Sequence, residues 1–149
     1  MKRIKQMKEM VWILIFIFFI GCVTSLPDFK PNSADEQSVK KFLLHADGAW
    51  NEKNVKEILG LYHPYAEIMS GPEQKMFSKK EYAKSLESIE WEMKAESGTP
   101  EIKPYGKDMV KVNINVIPAS QQVILAMEFI LIRSGNSWLI MKKIYEILH

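Results

Sequence analysis

The sequence predicts an α+β domain in which the helices come first and an antiparallel sheet comes last. Three observations carry this reading. Two capping boxes, Ser33-Ala34-Asp35-Glu36 and Ser78-Lys79-Lys80-Glu81, each precede apolar residues at helical spacing. From Trp91 onward the apolar period changes to two. Turn signals divide that half into strands: Gly106-Lys107, "PAS" at 118 to 120 and "SGN" at 134 to 136.

The first helix is expected over 34–51, with Val39, Phe42, Leu43, Ala46 and Trp50 on its buried face. Asn54 can cap a second, shorter helix whose stripe is Val55, Ile58, Leu59 and Tyr62, with Pro64 as its stop. "AEIMS" at 66 to 70 reads as a short strand. The second capping box then opens a third helix that buries Tyr82, Leu86 and Ile89. Four antiparallel strands follow.

Strand register can be tested by requiring apolar residues to face one another. If Gly135-Asn136 is a two-residue turn, Ser134 faces Ser137, Leu131 faces Ile140 and Met127 faces Ile144. A loop over 118–121 sets Val116 against Val123, Ile114 against Leu125, Val112 against Met127 and Val110 against Phe129. The same registers bring Lys111 beside Glu128 and Glu128 beside Lys143 on the opposite face. An unpaired carboxylate inside "VILAMEFILI" would be costly. The three residues are therefore expected as a structural charge ladder, worth roughly 0.2 to 1 kcal/mol per pair.

A chain of 149 residues that is 47% hydrophobic can bury one core and is expected to form one domain. It has one cysteine, so no disulfide within the chain supports that core. The formal charge of +2 is concentrated at the start, where Lys2, Arg3, Lys5 and Lys8 face only Glu9. The remainder has no basic face for tracking phosphates, so no nucleic acid partner is expected.

The uncharged apolar run from Met10 to Val23 is about 14 residues, and crossing a bilayer takes roughly 20. That length suits the apolar core of a signal peptide. Phe19-Ile20-Gly21-Cys22 resembles a bacterial lipobox, with Phe19 where leucine is usual. The resemblance implies a signal peptide over 1–21, acyl chains on Cys22, a tether over 22–33 and a folded domain over 34–149. Pro27 and Pro31 are expected to keep the tether irregular. The alternative is an uncleaved amino-terminal anchor with Cys22 as an ordinary thiol. Either way the domain is extracytoplasmic and membrane-attached. Val23 after the cysteine points to the outer membrane, facing the periplasm, if the cell has two membranes.

The order of elements, "GAWNEKNVKEILGLYHPYAEI" at 48 to 68 and "GNSWLIMKKIYEIL" at 135 to 148 together resemble the nuclear transport factor 2-like superfamily, in particular its SnoaL-like branch. The resemblance implies a curved antiparallel sheet packed on three N-terminal helices, cone-shaped with a pocket at the wide end. The inner face would bear Trp138, Ile140 and Ile144 with Leu125, Met127 and Phe129, and would also carry Lys142 and Glu146. Those two charges stand roughly 13 Å apart along the strand. With Trp50, Tyr62 and His63 from the first half, Trp138, Lys142 and Glu146 complete the pocket candidates.

The chemistry expected of that pocket is sparse. Many relatives place histidines on the last strand, where this chain has Lys142 and Ile144. His45, His63 and His149 do not converge, no metal-ligand spacing occurs and no phosphate-binding loop is present, so no cofactor is expected. The expected role is non-catalytic binding of a small apolar ligand or a protein partner. The alternative is a SnoaL-like hydrolase, isomerase or dehydratase, with Glu146 or His63 as base and Tyr62 as hydrogen-bond donor. The outer sheet face, with Ile124, Ile130, Ile132, Met141 and Ile147, is apolar enough to predict a homodimer.

Overall fold

The computed structural model describes residues 24–88, 94–119 and 123–148. Cys22 with the segment before it, Ile89, Trp91 and His149 lie outside the described residues. Helix α1 runs over Ala34–Asn51, α2 over Val55–Gly60 and α3 over Lys79–Ser88. Strands β1 (Tyr62–Ser70) and β2 (Lys75–Ser78) precede α3. Strands β3 (Ala95–Ser97), β4 (Glu101–Gly106), β5 (Met109–Pro118), β6 (Ile124–Ser134) and β7 (Ser137–Leu148) follow it.

The caps act as the sequence predicts. The Ser33 hydroxyl accepts from the Glu36 amide at 3.1 Å, while Glu36 reaches back to the Asn32 amide at 2.6 Å. At α3 the Ser78 hydroxyl accepts from the Glu81 amide, and Glu81 accepts from the Ser78 amide at 2.8 Å. The Asn54 side chain accepts from the Glu57 amide and starts α2.

Tyr62 is a correction. Helix α2 ends at Gly60, and Tyr62 opens β1 instead of closing the helical stripe. The Ile140 amide donates to the Leu61 carbonyl at 2.8 Å, and β1 runs parallel to β7 from there. Pro64 has no amide to donate, and the register shifts between Tyr62 and Glu67. The sheet is therefore mixed, with the order β2-β1-β7-β6-β5-β3 and β4 also paired to β5. Strand β2, which the sequence did not reveal, pairs with β1 across a turn in which Gly71 and Gln74 take positive φ.

The sheet curves over the helices without closing. Its inner face meets Val39, Phe42, Leu43 and Ala49 of α1, Ile58 of α2 and Tyr82 and Leu86 of α3 in one core. Asn51 pins β3 to α1 by bonding both the amide and the carbonyl of Ala95.

The segment before α1 is part of this body. Leu26 is 0% exposed and belongs to the core. Its amide donates to the Ser97 carbonyl at 2.9 Å, and Ser25 bridges Gly98. Lys40 holds the segment from the other side, donating to the carbonyls of Pro27 at 2.7 Å and Phe29 at 2.6 Å. From Ser25 on, the stretch expected as a tether is docked.

The decisive departure is in the β6–β7 hairpin. Ser134 pairs with Ser137 and Leu131 with Ile140 as expected, but Ile130 then pairs with Lys142. Met141 is the extra residue of a β-bulge, and a one-residue slip reverses every side chain beyond it. Met127 faces Tyr145 in place of Ile144, and Phe129 faces Lys143. Lys143, Tyr145 and Ile147 consequently turn inward, while Lys142, Ile144 and Glu146 turn outward. Between β5 and β6 the connection is two residues longer than expected, so Val112 faces Phe129 and Ile114 faces Met127. An even slip leaves the faces as predicted.

Candidate functional site

The inner face of the sheet is covered unevenly. Toward the β6–β7 turn, Leu131, Trp138 and Ile140 are buried under the helices. Toward the other end of the same strands, Leu125, Met127, Phe129, Tyr145 and Ile147 are only half-buried. These residues are neighbours across the sheet, since Leu125 pairs with Ile147 and Met127 with Tyr145. They form a half-buried apolar wall at that end of the inner face, called the mouth below.

Lys143 lies at the inner end of that wall. It is 6% exposed, paired with Phe129 on one side and Ile68 on the other. Its ammonium lies 4.9 Å from the centre of the Tyr82 ring and 6.0 Å from that of Trp50. One hydrogen bond, 3.5 Å to the Tyr82 hydroxyl, completes its partners among the described residues. None of their carboxylates forms an ion pair with it. Cation–π contacts of this kind are worth roughly 0.5 to 2 kcal/mol, less than the several kcal/mol needed to desolvate an ammonium.

Two more tyrosines frame the lysine. Tyr62 packs edge-on against Tyr82 with ring centres 5.5 Å apart, and burial, then the neighbouring Tyr82, pushes its hydroxyl well above the usual range. Tyr145 donates to the Gly71 carbonyl, and Gln74 donates to the Tyr145 carbonyl at 3.1 Å. The β1–β2 turn thus holds the Tyr145 ring at the mouth. Burial and then Tyr82 raise its hydroxyl as well.

The structure sorts the expected pocket residues. Trp50 and Tyr62 join Lys143. Trp138 belongs to the opposite, narrow end, where its indole donates to Ser38 at 2.9 Å and the Arg133 guanidinium stacks 4.4 Å over its ring. There it lines a cleft of about 970 Å³ between α1, α2 and the β6–β7 turn, together with the exposed His45. His63 follows Tyr62 in β1, with Nδ1 accepting from the Tyr65 amide. Lys142 and Glu146 are corrected to the outer face by the bulge. Lys142 there lies 3.6 Å from Glu67, and Glu146 lines a shallow hollow with Glu128, Asn113 and Asn115. Glu146 and the buried Tyr62 are on opposite faces of the sheet, so the base and donor anticipated for catalysis do not meet. Among the described residues no group of three His, Cys, Asp or Glu could hold a metal.

The charge ladder is corrected by the same bulge. Lys111 and Glu128 form an ion pair at 2.5 Å on the outer face, and the Glu128 hydrogen bond is the main cause that raises the Lys111 pKa. Lys143 is on the other side of the sheet. A signal for it was present in "WLIMKKIYEIL". Strict alternation buries both Lys142 and Glu146, whereas one inserted residue buries a single charge and turns Tyr145 and Ile147 inward.

Neither a family model nor a curated protein matches the sequence. Solved structures do match its fold. A protein of unknown function from Pectobacterium atrosepticum superposes with a TM-score of 0.68 at 13% identity, over 79% of this chain and 94% of that one. A nuclear transport factor 2-like protein of unknown function from Shewanella baltica gives 0.61 at 12%, over 80% and 98%. A candidate scytalone dehydratase from Novosphingobium aromaticivorans gives 0.61 at 11%, over 77% and 85%. The chain has the nuclear transport factor 2-like fold, and at these identities the likeness is one of fold.

Proposed function

We propose that the chain is a lipid-anchored binding domain of the cell envelope whose open mouth takes a small, mainly apolar ligand. The half-buried wall of Leu125, Met127, Phe129, Tyr145 and Ile147 carries this reading, because apolar side chains gathered on a concave face favour a ligand that removes them from water. The anchor reading rests on Cys22. If Cys22 carries acyl chains, only Val23 and Thr24 separate it from docked Ser25, a reach of about 10 Å. The domain would then sit close to the bilayer, within range of amphipathic molecules leaving it. Native mass spectrometry of the purified chain should show a retained ligand or binding from a metabolite set. No ligand and no thermal shift across that set would refute the reading.

A second reading concerns self-association. Ile117, Ile124 and Leu148 are each about 40% exposed on the outer face, and Ile124 pairs directly with Leu148. We propose that this apolar edge contributes to a homodimer, compatible with ligand binding on the inner face. Light scattering at micromolar concentration tests it, and a monomer would refute it.

A further inference from the structure

We propose that the ligand carries one anionic head group, a carboxylate, seated on the Lys143 ammonium and the Tyr82 hydroxyl. Its apolar body would lie along Phe129, Met127 and Leu125. This rests on reading the mouth as a ligand site and specifies what that site selects.

The argument begins with an unbalanced charge. An ammonium has three donors, and Lys143 directs one, at the long distance of 3.5 Å, to Tyr82. It is 94% buried by its 6% exposure, and no described carboxylate forms an ion pair with it. Buried charges in proteins are ordinarily paired, and an unpaired one at a functional site points to a partner that arrives from outside. A carboxylate supplies the missing charge and accepts two hydrogen bonds through its two oxygens.

Position supports the same conclusion. Lys143 is next along the inner face of β7 to Tyr145 and Ile147, and it pairs with Phe129, whose inner-face neighbours are Met127 and Leu125. Successive inner residues of a strand are about 7 Å apart, so a tail of six to eight carbons or a fused aromatic ring would reach from a head group at Lys143 along Phe129 to Met127 and Tyr145. The half-exposed wall and the buried lysine are thus the two ends of one amphipathic site.

The test uses full-length protein in lipid nanodiscs and isothermal titration with four water-soluble probes. Octanoate is compared with octanamide, and 2-naphthoate with 2-naphthamide. At least one acid should bind tenfold or more tighter than its amide. Lys143→Met should abolish that preference, and Lys143→Arg should restore part of it. Preference for octanoate alone would identify an acyl-chain ligand, and preference for naphthoate alone an aromatic acid, both within the proposed class. Equal binding of acids and amides, unchanged by Lys143→Met, would overturn the head-group assignment and leave the apolar site standing. Binding of none of the four by the wild-type chain would overturn both. Near-ultraviolet circular dichroism checks that each variant keeps its packed aromatic environment.

Discussion

Leu26→Ala is the substitution that best separates a docked amino-terminal segment from a free tether. The side chain is fully buried among core residues, and its backbone is tied to Ser97 while Lys40 secures the next turn of chain. Leucine-to-alanine changes in cores cost about 2 to 5 kcal/mol, the spread reflecting how far the surroundings close on the cavity. A segment that enters from one side can move inward, which favours the lower part of that range, about 2 to 3 kcal/mol. At roughly 4 °C per kcal/mol for a domain of this size, the midpoint should fall by about 8 to 12 °C. Thermal unfolding of the purified chain, followed by far-ultraviolet circular dichroism, measures this directly. Lys30→Ala is the control, because that side chain is exposed and should move stability by less than about 0.5 kcal/mol. If Leu26→Ala matches Lys30→Ala, the segment is not part of the cooperative fold and the reasoning fails.

Three further perturbations have signs fixed by the structure. Ser78→Ala removes the cap of α3 and should destabilise by about 1 kcal/mol. Hydrogen bonds from the Ser78 amide and hydroxyl hold the Glu81 carboxyl below its ordinary 4.5, so the stability they add is present above that value. The part that comes from the Ser78 hydroxyl is lost as pH falls through the lowered one, so the gap between the urea midpoints of wild type and variant should narrow in acid without closing, because the bond from the Glu81 amide to the Ser78 hydroxyl does not titrate. Asp47 has the opposite sign: burial raises its carboxyl above 3.8, and the Ser97 hydrogen bond offsets part of the rise. Ionised Asp47 therefore costs stability at neutral pH, so Asp47→Asn should raise the midpoint at pH 7 and lose that advantage below about pH 4. A lowered midpoint at neutral pH would contradict this sign. Finally, Lys143→Met replaces a buried charge with a side chain of similar reach and should leave stability unchanged or raise it, by up to roughly 4 kcal/mol. A loss of 2 kcal/mol or more in denaturant titration would show that the fold itself satisfies the lysine.

The helical half of the molecule was legible because its instructions are local. Ser33, Asn54 and Ser78 each solve a problem within one turn of chain, and the helices begin where those residues stand. Leu26 was not legible, because its burial depends on Ser97, more than seventy residues away, and the prolines around it suggest a linker. Tyr62 was misassigned for a related reason: its spacing suits the α2 stripe, but Ile140 on a distant strand captures the backbone at Leu61 and starts β1. The first rows of the last hairpin were legible from the Gly135-Asn136 turn, where geometry propagates from a fixed point. It propagates only until the first bulge.

That bulge explains why Lys142 and Glu146 were expected on the wrong face while the fold was read correctly. Fold class depends on the period of the pattern, which one inserted residue leaves intact, whereas a site depends on phase, which the same residue inverts. Beyond Met141, alternation would have buried Lys142 and Glu146, whereas the bulge buries Lys143 and gives the mouth two more apolar residues. Among the described residues of the inner face, the remaining inward charge is where local packing logic is broken, since a methionine there would fill the same space without desolvating a charge. Sequences that agree with their fold at every other level break such rules at functional sites. If the half-buried wall is the proposed ligand site, the lysine at its end is the residue that would set what it selects.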